Sequence, residues 1–198
     1  MAKAMSGQKT VTPSAESLAA SIKATKTRGL PPVEKWNPPF CGDIDMEIRR
    51  DGTWFYEGTP IGRPGLVKLF ASILIREEDD YFLVTPVEKV GIRVQDAPFI
   101  AVDFEVSGEG RDQRLTFTTN LEDITVAGPD VPMRFVRDPE TGEPSPYVRV
   151  RRNLEALIDR KSFYRLVELG VHHDDWFGVW SDGAFFGIIP SAELPPEE

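Results

Sequence analysis

Ile44-Asp45-Met46-Glu47-Ile48-Arg49-Arg50-Asp51-Gly52-Thr53-Trp54-Phe55-Tyr56 is the stretch that decides the fold. Ile44, Met46 and Ile48 alternate with Asp45, Glu47 and Arg49, the period of a half-buried strand. Asp51-Gly52 supplies a turn, because glycine and aspartate tolerate positive φ at little cost. A two-residue loop would pair Arg50 with Thr53, Arg49 with Trp54, Ile48 with Phe55 and Glu47 with Tyr56. In that register Phe55 lies on the apolar face, and Trp54 and Tyr56 lie opposite, beside Glu47 and Arg49. A sheet face that mixes rings with charge is expected to be covered by a chain segment, a domain or a ligand.

Working outward, Gly62-Arg63-Pro64-Gly65 opens a helix with Pro64 at its first position, where a missing N–H costs nothing. Leu66, Leu69, Phe70, Ile73 and Leu74 form its stripe. Tyr81–Thr85 and Val90–Val94 make a second hairpin. Upstream, Thr12 and Pro13 open a short helix with apolar Ala15, Leu18, Ala19 and Ile22. Residues 1–11 read as a disordered polar tail, and 30–39 as a proline-rich strap pinned by Trp36.

Downstream, Phe99–Val106 and Arg114–Thr119 read as an antiparallel pair, with a further strand at Ile124–Ala127. Residues 128–146 carry five prolines without periodicity and read as a long surface loop. Tyr147–Arg151 is a strand. Asn153 would cap two short helices broken near Ser162, the first with Leu154, Leu157 and Ile158 as its stripe. Trp176–Trp180, a Ser181-Asp182-Gly183 turn and Phe185–Ile189 close the chain with a hairpin.

At an offset of 95 residues, Asp79-Asp80-Tyr81-Phe82-Leu83-Val84 overlies Asp174-Asp175-Trp176-Phe177-Gly178-Val179. Gly91-Ile92 overlies Gly187-Ile188 with one inserted residue, which indicates an internal duplication. The fold class expected is therefore α+β. It comprises a tail and short helix over 1–29, a hairpin-helix-hairpin subdomain over 30–97, and a similar subdomain over 98–198.

Composition narrows the function. With 40% hydrophobic and 28% charged residues the chain reads as soluble and globular. A net charge of −9 disfavours general nucleic-acid binding, which needs many phosphate contacts by Lys and Arg. It likewise disfavours docking on anionic membranes. Cys41 is the single cysteine, which excludes an internal disulfide and fits a reducing compartment. No apolar stretch suits a signal peptide or a bilayer span of about 20 residues. A cytoplasmic location is expected.

Several runs resemble a known family. Gly42-Asp43-Ile44-Asp45, Asp51-Gly52-Thr53-Trp54, Leu69-Phe70-Ala71, Thr85-Pro86-Val87-Glu88-Lys89 and Asp96-Ala97-Pro98-Phe99 carry the likeness. Tyr147-Val148-Arg149-Val150-Arg151 followed by Leu154-Glu155-Ala156-Leu157 extends it. Together they resemble the proteobacterial family called domain of unknown function 1285, over roughly residues 30–190. The resemblance implies a duplicated α+β core whose C-terminal half is loosely pleckstrin-homology-like. It also implies a site between the halves suited to a nucleotide-like ligand, and a signalling role. It supplies no catalytic residues.

Residues 147–165 hold six basic side chains against two acidic ones in an otherwise acidic chain. Arg149 and Arg151, two apart on a strand, should project from one face and could clamp phosphate or carboxylate. The plain alternative is pairing with the chain's many acids. Arg63, at a helix start, opposes the macrodipole unless an anion binds there. Trp54 and Tyr56 could stack a base, or simply pack between domains. Lys89 could add charge, and Asp96 could accept a ribose hydroxyl or only a turn N–H.

In His172-His173-Asp174-Asp175, alternation along an extended chain would let His172 and Asp174 converge without His173, and two ligands do not make a zinc site, which needs three or four. Cys41 has no histidine nearby in sequence and two acids close by, so a thiolate nucleophile is not expected. No G-x-S-x-G or phosphate-loop motif occurs.

The function expected is a non-catalytic cytoplasmic sensor in signal transduction, without a cofactor, binding a small anionic or nucleotide-like ligand in the seam between the two halves through Trp54, Tyr56, Arg63, Lys89, Asp96, Arg149 and Arg151. The rival is a protein-interaction scaffold using the 128–146 loop. An enzyme acting on a nucleotide derivative ranks last.

Overall fold

The computed structural model describes residues 12–195, so the expected tail over 1–11 lies outside the described residues. The chain folds into two compact units. Among the described residues, one comprises 12–46 and 55–93, the other 47–54 and 94–195.

In the first unit, α1 runs Ala15–Ala24 and buries Ala15, Leu18, Ala19 and Ile22, as the stripe requires. Its cap is Ser14 rather than Thr12. The Ser14 hydroxyl accepts the Ser17 N–H, and the Ser17 hydroxyl accepts the Ser14 N–H in return. Pro31 and Val33, rather than the half-buried Trp36, are the buried residues of the proline-rich strap.

Strands β1 (Phe40–Ile48), β2 (Trp54–Tyr56) and β3 (Thr59–Pro60) lead into α2 (Pro64–Ser72). After α2 come β4 (Leu74–Glu77), β5 (Asp80–Val84) and β6 (Lys89–Val94). The sheet order is β3-β2-β1-β6-β5-β4. The α2 stripe is Val67, Phe70 and Ala71, and the chain leaves the helix before Ile73 so that Leu74 packs from a strand.

The opening hairpin turns through three residues rather than two. Arg49 N–H donates to the Thr53 carbonyl at 2.9 Å and Gly52 N–H to the Arg49 carbonyl at 2.9 Å, while Gly52 sits at φ +85°. A type I turn followed by a left-handed residue forms the bulged three-residue loop. The Asp51 carboxylate accepts the Thr53 N–H at 2.9 Å, which holds it below the usual carboxylate range. Gly52 is required twice over. Besides its φ, a Cβ there would come within 2.8 Å of Asn120 and Ile100.

The extra loop residue shifts the expected register by one. Glu57 N–H reaches the Asp45 carbonyl, which sets Met46 opposite Tyr56, and the Arg49–Thr53 bond likewise sets Ile48 opposite Trp54. A one-residue slip exchanges the faces of a strand. Trp54 is therefore in the interior, 1% exposed, and the half-buried ring is Phe55.

The second unit contains a mixed sheet in the order β10-β11-β12-β7-β8-β9. Its strands are β7 (Phe99–Ser107), β8 (Arg114–Thr119), β9 (Ile124–Val126), β10 (Met133–Arg137), β11 (Pro144–Arg151) and β12 (Leu154–Ile158). β12 runs parallel to β7, and the other pairs are antiparallel.

Two expectations fail here. The 128–146 stretch is no loop: it contains all of β10 and the start of β11. Arg149 N–H donates to the Pro132 carbonyl, so odd-numbered residues of β11 face β10 with their N–H groups. Pro144 and Pro146 fall at the positions that ladder does not use. Leu154–Ile158 is a strand and not a helix, with Leu154, Ala156 and Ile158 buried in alternation. One helix, α3 (Arg160–Glu168), then follows, capped by Asp159 through the Ser162 N–H at 2.8 Å, with Ser162 buried inside it.

A three-stranded sheet ends the chain: β13 (Val171–His173), β14 (Trp176–Ser181) and β15 (Ala184–Pro190). Asp182 and Gly183 both have positive φ, the turn that the sequence specifies. The buried Ser181 hydroxyl joins this sheet to the larger one, donating to the Ala127 carbonyl and accepting the Leu115 N–H.

The duplication is visible as element order. A hairpin, a helix and a three-stranded meander occur as β1, β2, α2, β4, β5, β6 and again as β11, β12, α3, β13, β14, β15. The protein is α+β with two similar sheet-plus-helix halves. Among the described residues no helix is long and apolar enough to cross a membrane.

Candidate functional site

The structure disperses the seven ligand-binding candidates. Trp54 is interior, and its ring presents no stacking surface. Tyr56 and Arg63 do come together, lining a cavity of about 250 Å³ in the first unit with Glu16 and Leu66. The Tyr56 hydroxyl accepts the Ala15 N–H at 3.4 Å, and Arg63 is the exposed cap of α2 with no side-chain cap bond. Lys89 is bound to Glu77 at 2.6 Å and lies 4.3 Å over the Phe82 ring, lining a cavity of about 530 Å³ with Phe40, Asp43 and Arg93.

Arg149 and Arg151 do not make a clamp. The ladder pairs Arg149 with Glu155 but Arg151 with Leu154, a β-bulge that leaves Val150 unmatched. Residues directly opposite share a face, so the two arginines belong to opposite faces of the sheet. Arg151 is mostly buried; it pairs with Asp123, and its guanidinium lies 4.9 Å over the Phe99 ring. Burial pulls its pKa below the ordinary arginine value, and the Asp123 carboxylate opposes that shift.

Asp96 accepts a hydroxyl, but one from the protein. The Tyr147 hydroxyl donates to it at 2.7 Å, and Arg50 Nε lies 3.5 Å away. The Arg134 guanidinium lies 4.5 Å over the Tyr147 ring and grips Glu155 with two hydrogen bonds, at 2.7 and 3.1 Å. Burial, and then the Asp96 bond, push the Tyr147 phenol up to about 12. Because the folded value exceeds the unfolded one, this stabilisation is complete below about pH 10. It is lost as pH rises toward 12. Urea titrations between about pH 8 and 11.5 should show the wild type holding this contribution to about pH 10 and losing it above, and Tyr147→Phe losing much less there.

Arg50 belongs to a pocket that sequence reasoning missed. A cavity of about 510 Å³ in the second unit is walled by Pro144 and Pro146 of β11, Leu157 of β12, and Arg160, Phe163 and Tyr164 of α3, with Arg50 at its side. That volume is in the range of small-molecule sites. Arg160 Nε donates to the Tyr164 hydroxyl at 2.9 Å, and among the described residues no carboxylate pairs with this guanidinium. Tyr164 is 57% exposed, a large ring left facing solvent. Of the two acids in the lining, Asp159 is oriented by its capping bond, and Glu143 is exposed. The available sequence signal was the i,i+4 spacing of Arg160 and Tyr164, which stacks two side chains on one helix face.

Comparison with known proteins decides the family. A model described as the N-terminal domain of domain of unknown function DUF1285 matches residues 31–97, and that of its C-terminal domain matches residues 98–188. The chain belongs to the DUF1285 family. It is similar to a DUF1285 family protein from Silicibacter pomeroyi DSS-3, with 65% identity, TM-score 0.83, and coverage of 89% of this chain and 96% of that one. A DUF1285 protein from Shewanella baltica OS155 is 33% identical over 62% of this chain and 90% of its own, with TM-score 0.49. No curated protein matches.

Proposed function

We propose that this DUF1285 protein is a non-catalytic cytoplasmic regulatory module that binds a small anionic ligand bearing a planar ring, of nucleotide-like chemistry. The observation that carries the reading is the convergence of Arg50, Arg160, Tyr164 and Phe163 on one concave pocket. Guanidinium groups recognise phosphate or carboxylate in bidentate geometry. An exposed tyrosine offers a face for stacking at small entropic cost. The pocket's wall is semi-rigid, because Pro144 and Pro146 fix φ along it. Ligand closure of α3 against that wall is the step that would alter a partner's docking and make binding a signal.

The test is a thermal-shift panel of nucleotides and other phosphorylated metabolites. A ligand at about 100 times its Kd adds about 2.7 kcal/mol, and each kcal/mol moves the midpoint by roughly 2–4 °C at this size. The expected result is a clear shift with one ligand class that collapses in Arg160→Ala and shrinks in Tyr164→Ala. A flat panel at millimolar ligand, or a shift that survives Arg160→Ala and Arg50→Ala together, overturns the reading.

One observation favours an interaction role beside this one. Phe40, exposed on β1, meets Phe82 edge-to-face at 5.9 Å beside the first unit's cavity of about 530 Å³. The 128–146 segment does not support it, being folded into a hairpin.

A further inference from the structure

The terminal sheet has two unlike faces. Val179, Ser181 and Ile188 point into the protein and are buried. On the other side, Cα pairing sets Trp180 opposite Phe185, Gly178 opposite Gly187, and His173 opposite Trp176. All of these share one face. Three of the rings pack together: His173 lies 4.9 Å from Trp180 and 5.0 Å from Phe185, and Trp180 lies 5.2 Å from Phe185. Trp176 stands apart, 43% exposed, against Gly187. A Cβ on Gly187 would come within 2.9 Å of the indole, so glycine is what lets this ring lie on the sheet.

His173, Asp174, Trp176, Phe185 and Gly187 together line an open slot of about 380 Å³ on this face. At its mouth is Asp174, whose side chain is 87% exposed and whose carboxylate lies 3.1 Å from His173 Nε2. Aromatic walls with a carboxylate at the rim form a site for a cation, because ring faces are the negative end of the aromatic quadrupole. The neighbouring ring already shows that preference: the Arg111 guanidinium lies 4.8 Å over Trp180.

We propose that this slot binds a small quaternary ammonium compound. The class follows from counting donors. A guanidinium brings five N–H groups and a primary ammonium three. The slot's side chains offer one carboxylate and one imidazole, so the other donors of such a ligand must keep their water, and that hydration holds the charge off the rings. A trimethylammonium head has no donors to satisfy and presents polarised methyl groups to all three rings. The site is independent of the Arg160 pocket, and neither reading needs the other.

Choline is the probe, and its uncharged carbon isostere, dimethylbutanol, is the control. Ligand-observed NMR titration of the full chain should show choline binding about tenfold or more tighter than the isostere. Trp176→Ala should weaken choline about tenfold, Asp174→Asn severalfold, and Arg160→Ala not at all. Trp176 is surface-exposed, so its removal leaves the fold intact, and Asp174→Asn reads the charge without removing a ring. Equal affinity for choline and the isostere would reduce the slot to a merely apolar groove and sink the proposal. So would no saturation at about 10 mM choline, tighter binding of a neutral sugar, or wild-type affinity in Trp176→Ala.

Discussion

Trp54→Ala should cost about 3–5 kcal/mol of stability, the usual range for deleting a fully buried indole. At roughly 2–4 °C per kcal/mol, a calorimetric scan should find the melting temperature lowered by about 6–20 °C. The argument rests on the turn. Because the Arg50-Asp51-Gly52 loop holds three residues, Trp54 lies opposite Ile48, and both are buried. The next residue makes the control. Phe55 is half-buried, so Phe55→Ala should cost only about 1–2 kcal/mol, the loss of partial burial without a full cavity. With a two-residue loop the order would reverse, since Phe55 would be the core ring. Urea midpoints for the two variants therefore read the register directly. Equal losses, or a larger loss for Phe55→Ala, would contradict the hairpin described above.

That hairpin also marks how much the chain reveals before it folds. Alternation in Ile44–Ile48, the α2 start at Pro64, the Asp182-Gly183 turn and the repeat at an offset of 95 were all legible, because each is a local or periodic signal. Loop length was not, since Asp-Gly serves a two-residue loop and a bulged three-residue loop equally well. Leu154-Glu155-Ala156-Leu157-Ile158 fits both periods: Leu154, Leu157 and Ile158 suit a helix, while Leu154, Ala156 and Ile158 suit a strand. Pairing with β11 and β7 settles it as a strand, and that pairing is tertiary.

The site is harder still to read from sequence. Arg160 stood out within a basic stretch, but its companions come from a hairpin tip at residue 50 and a proline-bearing strand at 144–146. No spacing rule connects those segments. The Arg149–Arg151 pair failed for a related reason: a single unmatched residue, Val150, reverses the face of everything beyond it.

Asp123→Ala should be nearly as damaging as Trp54→Ala, at about 3 kcal/mol, because it takes a carboxylate away from a mostly buried cation. The Arg151 side chain is 13% exposed and its partner Asp123 26%. Burial already disfavours the charged guanidinium, and Asp123 is the neighbour that restores it. Arginine cannot escape by losing its proton near neutral pH, so an Arg151 deprived of this carboxylate keeps a large part of its desolvation penalty. Arg151→Met should cost less, about 1–2 kcal/mol. The methionine stem still covers Phe99, and the more exposed Asp123 can be rehydrated. The double variant should then resemble Arg151→Met alone, giving a coupling of about 3 kcal/mol in a cycle read by urea denaturation. Arg93 and Asp45 supply the contrast. They meet at 2.7 Å but are largely solvent-exposed, so the same cycle there should return about 0–1 kcal/mol. If the two cycles gave the same coupling, burial would not be what gives the Arg151–Asp123 pair its strength.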